Sequence, residues 1–222
     1  MNDRLILAID TSFGPVGAAL ATLKGEIVAC AEADNPPGRQ AETLPPLVAD
    51  MFSSAGVAFR QLDRIAVTVG PGAFTGVRVG LAFAKGIRLA TGTAILGVTT
   101  LECLAAQAAR GEPGRSIGVA IDAKRGEVYV QAFDAAIEPL SAAAVMLTLD
   151  AADLFQRVLP EPVALTGSAA SMLAATTDRE TATVDVRRID TKLLAVRAAH
   201  ADPARHPATP AYLRAPDAKL PS

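Results

Sequence analysis

Asp10 and Asp122 are the residues whose setting points most directly to chemistry. Each closes an Ala-Ile-Asp tripeptide, at residues 8–10 and 120–122, about half a chain apart. Each is followed four residues later by a glycine (Gly14, Gly126) and six residues later by a valine (Val16, Val128). The repeat predicts two similar lobes, each placing an aspartate at the cleft between them. Such carboxylates hold a magnesium–phosphate complex through water, because Mg²⁺ keeps several waters and takes only one or two carboxylates. Thr11 and Ser12 follow Asp10 and could donate to phosphate oxygens. Asp122 is followed by the bulkier Ala123-Lys124-Arg125. Both aspartates also suit an Asx turn at a strand end. The two readings balance for Asp10, and the turn leads for Asp122.

The second candidate is the glycine-dense stretch from Gly70 to Gly80, Gly-Pro-Gly-Ala-Phe-Thr-Gly-Val-Arg-Val-Gly. No Gly-Lys-Ser/Thr follows, so it is not a Walker A loop. Its spacing also misses the dinucleotide fingerprint by one residue. As a strand–loop–helix junction it presents backbone N–H groups at a helix start, a generic anion site. Gly72, Gly76, Gly80 and Ala84 recur every four residues, and the last three line one face of the following helix. Glycine inside a helix costs about 1 kcal/mol relative to alanine. Two of them imply that something approaches too closely for a side chain. That neighbour is a helix of this chain or of a partner. Arg78, Lys85 and Arg88 lie off the stripe, toward solvent or a partner's acids.

Other chemistry lacks its residues. The two histidines, His200 and His206, lie late in the chain and outside any metal-ligand spacing. Cys30 and Cys103 are far apart on apolar stretches and read as buried free thiols, which fits a reducing cytoplasm. No Gly-x-Ser-x-Gly elbow occurs. Gly167-Ser168 carries one glycine where a nucleotide-binding lobe brings two. No catalytic base stands out.

The elements that must position these residues follow from hydrophobic period and turn signals. Leu5–Ile9, Val16–Thr22 and Glu26–Ala33 read as strands, the last two joined by a turn at Lys24-Gly25. Asn35 to Gly38 is a loop. Leu44, Leu47, Val48, Met51, Phe52 and Ala55 repeat at helical spacing up to Gly56, with Pro45 and Pro46 allowed only in the first turn. Ile65–Val69 is a strand. A helix runs from about Thr75 to Ala90, Ile95–Val98 is a strand, and Thr99 with Glu102 caps a helix to Arg110. Residues 110–115 are the linker. Strands Ile117–Ile121, Glu127–Phe133 and Val145–Leu149 follow, then a helix capped by Asp150, strand Pro162–Leu165 and a small-residue helix. Strand Thr183–Val186, a last helix capped by Asp190 and an extended Pro-rich tail from His206 end the chain. The plan is an α/β fold of two lobes with mixed sheets, residues 1–110 (βββαβαβα) and 111–222.

Composition bounds the function. The 222 residues suit one large or two small domains, and half of them are apolar. Net charge is −2 and the pI is about 5.7, with no long basic run, so autonomous nucleic-acid binding is not indicated. Tryptophan is absent and aromatics are 4%, which argues against stacking platforms for bases. The start enters a strand directly, so no signal peptide is expected, and no apolar run approaches a membrane span.

Four segments carry a resemblance: Ile6 to Ser12, Gly70 to Gly80, Ile121 to Tyr129 (Ile-Asp-Ala-Lys-Arg-Gly-Glu-Val-Tyr) and Tyr212-Leu213-Arg214. Together they resemble the bacterial TsaB family, also called YeaZ, over nearly the whole chain. The glycine motif with Phe74, Thr75 and Arg78 is its most specific part. The resemblance implies the actin-like ATPase, sugar kinase and Hsp70 (ASKHA) fold. It implies a cytoplasmic part in forming threonylcarbamoyladenosine beside the anticodon of tRNA. In that family TsaD carries the transfer chemistry with a histidine-bound metal, TsaB binds and supports it, and TsaE is an ATPase joining both. This chain resembles the non-catalytic subunit, since its first lobe has no histidine. The implied partners are a TsaD homologue, TsaE, a second copy when alone, and tRNA only through the complex.

The resemblance places the partner interface on the helices at 40–55 and 75–90. The interface residues are Leu44, Leu47, Met51, Gly72, Thr75, Gly76, Gly80, Phe83 and Ala84. The small-residue stripe then lets two subunits' helices pack closely, and Leu or Arg at Gly80 should abolish association with TsaD while sparing the fold. No cofactor is required. Weak ATP or ADP with magnesium would sit at the cleft, at Asp10, Thr11 and Ser12, or at the partner interface. Two other classes compete: an active ASKHA-fold ATPase or small-molecule kinase using Asp10, and a glycoprotease-like peptidase.

Overall fold

A computed structural model describes residues 4–34, 38–177 and 179–214. The loop at Asn35-Pro36-Pro37, the first three residues and the end of the tail lie outside the described residues. The described residues form two five-stranded mixed sheets. The first contains β1 (Leu5–Asp10), β2 (Val16–Thr22), β3 (Ile27–Ala33), β4 (Leu62–Thr68) and β5 (Ala94–Val98), in the order β3-β2-β1-β4-β5. The second contains β6 (Ser116–Lys124), β7 (Glu127–Phe133), β8 (Ala144–Leu147), β9 (Val163–Thr166) and β10 (Thr181–Val184), in the order β10-β9-β6-β7-β8. In both, the first three strands form an antiparallel meander, the fourth pairs parallel to the first, and the fifth pairs parallel to the fourth. The repeated Ala-Ile-Asp marks the same central strand in each sheet.

Among the described residues six α-helices complete the fold: α1 (Gln40–Ala55), α2 (Phe74–Thr91), α3 (Thr100–Gly111), α4 (Thr148–Val158), α5 (Ala170–Ala174) and α6 (Thr191–His200). Alternation along β1 sets the layering, because successive side chains point to opposite faces. Leu5, Leu7 and Ile9 pack with Leu44, Val48 and Phe52 of α1 and Leu81 of α2. Ile6 and Ala8 face the other way, toward Leu101 and Leu104 of α3, Leu194 and Ala195 of α6, and Ile117 and Val119 of β6. A third cluster seats α4 and α5 on the far side of the second sheet.

The two halves exchange their last helices: α3 packs on β6, while α6 returns to β1 and β2. A boundary at residue 110 therefore follows the chain but not the packing. Arg64 on β4 anchors the returning helix, Nη1 donating to the carbonyls of Ala198, Ala199 and Ala201 at 3.1, 3.4 and 3.1 Å. A cation at a helix C-terminus also complements the macrodipole. Asp190 caps the other end, Oδ1 accepting from the N–H groups of Lys192 and Leu193.

Several expectations are corrected. α1 begins at Gln40, so Pro45 and Pro46 sit in its second turn. The proline rings remove the bonds to the Ala41 and Glu42 carbonyls, and both of those residues are exposed, so water can replace the lost donors. Asp150 is not a cap: α4 starts at Thr148 after Leu147, without a side-chain cap. Cys103 is buried, but Cys30 is exposed on β3, the edge strand.

Candidate functional site

Asp10 ends β1 with its side chain inside the molecule, 1% exposed. Its Oδ1 accepts from the Ser12 N–H at 3.0 Å, from Ser12 Oγ at 2.7 Å and from Thr68 Oγ1. Oδ2 lies 3.4 Å from the Phe13 N–H. Burial pushes the carboxyl above its ordinary value of 3.8, while the hydrogen bonds from Thr68 and Ser12 pull the other way. Ser12 Oγ also meets Thr100 Oγ1 at 3.0 Å, and the Thr100 N–H donates to the Gly70 carbonyl at 2.8 Å. The end of β1, the end of β4 and the start of α3 are thus joined in one buried polar network.

The glycine stripe belongs to the same network. An added Cβ would lie 2.4 Å from the Ser12 carbonyl at Gly72, 1.8 Å from the Thr11 carbonyl at Gly76 and 2.6 Å from Thr11 Oγ1 at Gly80. Thr11 Oγ1 donates to the Gly76 carbonyl at 2.7 Å, and the Ala73 N–H donates to the Ser12 carbonyl at 2.8 Å. The close neighbour is the chain's own β1–β2 loop, which leaves no room for a partner helix on that face. Asp10, Thr11 and Ser12 therefore do not fit a phosphate cradle. All three are 1–2% exposed, and their polar atoms are committed to α2, α3 and β4.

The second lobe uses its counterpart differently. Asp122 is partly exposed, and Lys124 bonds it through both N–H and Nζ, each at 2.7 Å. These bonds hold its carboxyl below the usual aspartate value. The Asp122 N–H donates to Ser168 Oγ at 2.9 Å. Gly167 has φ +99°, and a Cβ there would lie 2.3 Å from the Ala120 carbonyl, so the loop after β9 closes on β6. The two aspartates thus differ: Asp10 is buried in a network of hydroxyl and backbone donors, and Asp122 is partly exposed and paired with Lys124.

The expected interface residues divide by burial. Leu44, Met51, Gly76, Gly80 and Ala84 are buried in the chain's own core. That corrects the use of Gly80 as a fold-neutral docking probe. Leu47 and Phe83 are half-buried, and Gly72 and Thr75 are exposed. The outward face of α2 carries Thr75, Ala82, Gly86 and Leu89 at spacings of three to seven, one side of a helix. Leu89 is 90% exposed, and Phe74 at the helix start is 57% exposed. Neither Leu89 nor Gly86 belonged to the expected set. The interlobe cleft also holds residues that reasoning from composition passed over: Phe74, Arg78, Tyr129 and Tyr212. Three aromatics gather there despite the low aromatic content.

Comparison with known proteins decides the family. The model of a family described as "TsaD: tRNA N6-adenosine threonylcarbamoyltransferase" matches residues 39–218. The chain is 34% identical over 127 residues to the Escherichia coli tRNA threonylcarbamoyladenosine biosynthesis protein TsaB. The chain belongs to the TsaB (YeaZ) branch of this family. The E. coli match covers 56% of this chain and 52% of that relative, and the chain spans about half the length of the curated relatives it matches. YeaZ from Pseudomonas aeruginosa superposes with a TM-score of 0.73 at 26% identity, covering 95% of this chain and 100% of that one. Component A of (R)-2-hydroxyglutaryl-CoA dehydratase from Acidaminococcus fermentans shares the fold alone, with a TM-score of 0.51 at 13% identity over 88% of this chain and 99% of its own. The fold is the ASKHA fold, as the TsaB resemblance implies. Among the described residues no helix is long and apolar enough to cross a membrane, and no three His, Cys, Asp or Glu side chains gather as a metal site.

Proposed function

We propose that this TsaB-family chain is a partner-binding, non-catalytic subunit in the formation of threonylcarbamoyladenosine on tRNA. It docks on a TsaD homologue and works together with TsaE, and it pairs with a second copy when alone. The observation that carries the reading is the contrast between the two faces of α2. Its inner face is locked on the β1–β2 loop, and its outer face leaves Leu89 open to solvent. A buried, hydrogen-bonded Asp10 cannot present both oxygens to a metal–nucleotide complex without breaking the network that seats α2 and α3. Residues 1–110, which supply Asp10 and α2, contain no histidine. The outer face of α2, with Leu47 and Phe83 at the seam to α1, is the docking surface.

Reconstitution tests this reading. Unmodified tRNA is incubated with the TsaD homologue, TsaE and the threonylcarbamoyl donor, with and without this chain. Modification should require the chain. Equal modification in its absence sinks the proposal.

A further inference from the structure

The geometry points to a binding site for a small organic anion in the cleft between the lobes, a site separate from the Asp10 network and independent of the docking reading above. The cleft has a volume of about 450 Å³, within the roughly 300–1,000 Å³ range of small-molecule pockets. Its walls come from the loop after β4, the first turns of α2, β7 and the segment 211–214 near the chain's end. Both tyrosines of the chain, Tyr129 and Tyr212, line it together with Phe74. Two arginines, Arg78 and Arg214, line it as well, and none of the lining residues is acidic. In a chain of net charge −2, that is a local excess of positive charge.

The two guanidiniums differ. Arg214 is paired with Glu127 and lies 6.0 Å from the centre of the Tyr129 ring. The guanidinium carbon of Arg78 lies over the Phe74 ring, 3.8 Å from its centre, and 5.9 Å from that of Tyr212. Its Nε donates to the Tyr212 hydroxyl at 3.1 Å. Among the described residues its two terminal nitrogens have no hydrogen-bond partner and no carboxylate beside them. The contact with Phe74 and the Nε bond hold the group in place, so the remaining N–H donors form a preoriented fork. Such a fork is matched by the two oxygens of a carboxylate or a phosphate. The aromatic walls suit a flat or apolar body attached to that anion. The ligand class is a compact organic anion of up to mononucleotide size, with one carboxylate or phosphate placed on Arg78.

Titration calorimetry on the isolated chain tests this with two pairs of probes. AMP is compared with adenosine, and benzoate with benzyl alcohol. Binding of either anion, at least ~10-fold tighter than its neutral counterpart, supports the site, and the pair that responds tells phosphate from carboxylate. Arg78→Gln should weaken that binding by at least ~10-fold with an unchanged melting temperature, whereas Arg187→Gln, on an exposed pair elsewhere, should not. Failure of both anions to bind at millimolar concentration overturns the proposal. So does binding that is indifferent to charge or to Arg78. If Arg78→Gln lowers the melting temperature, Tyr212→Leu serves as the second variant with the same expected loss.

Discussion

Gly76 and Thr11 touch through their backbones: a methyl placed on Gly76 would lie 1.8 Å from the Thr11 carbonyl oxygen, while Thr11 Oγ1 donates to the Gly76 carbonyl at 2.7 Å. The helix after the glycine motif is thus seated on the loop that follows the first aspartate.

Gly76→Ala reports on that contact through its sign. At an ordinary helix interior the change stabilises by about 1 kcal/mol. Here the carbonyl is backbone and cannot swing aside, so the variant should lose about 1–3 kcal/mol, as overpacked sites do. Urea denaturation measures it, and an unchanged or raised midpoint would contradict the packing.

Arg64→Ala should loosen the return of α6 to the first sheet. Arg64 bridges three carbonyls at the end of that helix and also pairs with Asp63. Hydrogen bonds to a charged group contribute about 1.5–3 kcal/mol. A loss of that size is expected, with faster amide exchange in α6 than in β6. Uniform exchange changes across the chain would argue against a local anchor.

The buried Asp10 predicts a pH dependence. Its folded value lies above 3.8 because burial penalises the charge, so the folded chain holds this proton more tightly than the unfolded one. Its contribution is therefore most favourable below pH 3.8, falls as pH rises toward the raised folded value, and then levels off. Asp63 and Asp122 are shifted down and act with the opposite sign, but both remain in an Asp10→Asn variant and cancel in the comparison. The stability difference, wild type minus Asp10→Asn, should decline with rising pH over that window. A flat or rising difference rejects the assignment.

Leu89→Asp separates docking from folding. With 90% of the side chain exposed, the substitution should alter stability by no more than about 0.5 kcal/mol, and association with the TsaD homologue in gel filtration should be lost. Retained co-elution would move the docking surface off α2.

The repeat, strand periodicity and caps at Thr99 and Asp190 were legible because they rest on local alternation and backbone hydrogen-bonding needs. The start of α1 was not, because Pro45 and Pro46 normally mark a helix start, and the exposure of residues Ala41 and Glu42 tolerates them a turn later. Cys30 sits on an apolar stretch yet is exposed, because the sequence does not reveal which strand lies at a sheet edge.

The sequence by itself determined that two like lobes exist, that Asp10 and Asp122 end equivalent strands, and that something crowds the face carrying Gly76 and Gly80. Only the tertiary structure decided what that something is and which aspartate is buried. It also decided that α3 and α6 trade sheets, and that Phe74, Arg78, Tyr129 and Tyr212 share one cleft. The reason is range: residues three or four apart constrain one another through a single helix or strand, whereas Thr11 meets Gly76 only once α2 has packed on the first sheet, and Arg78 meets Tyr212 only once the segment at 211–214 has returned to the loop after β4.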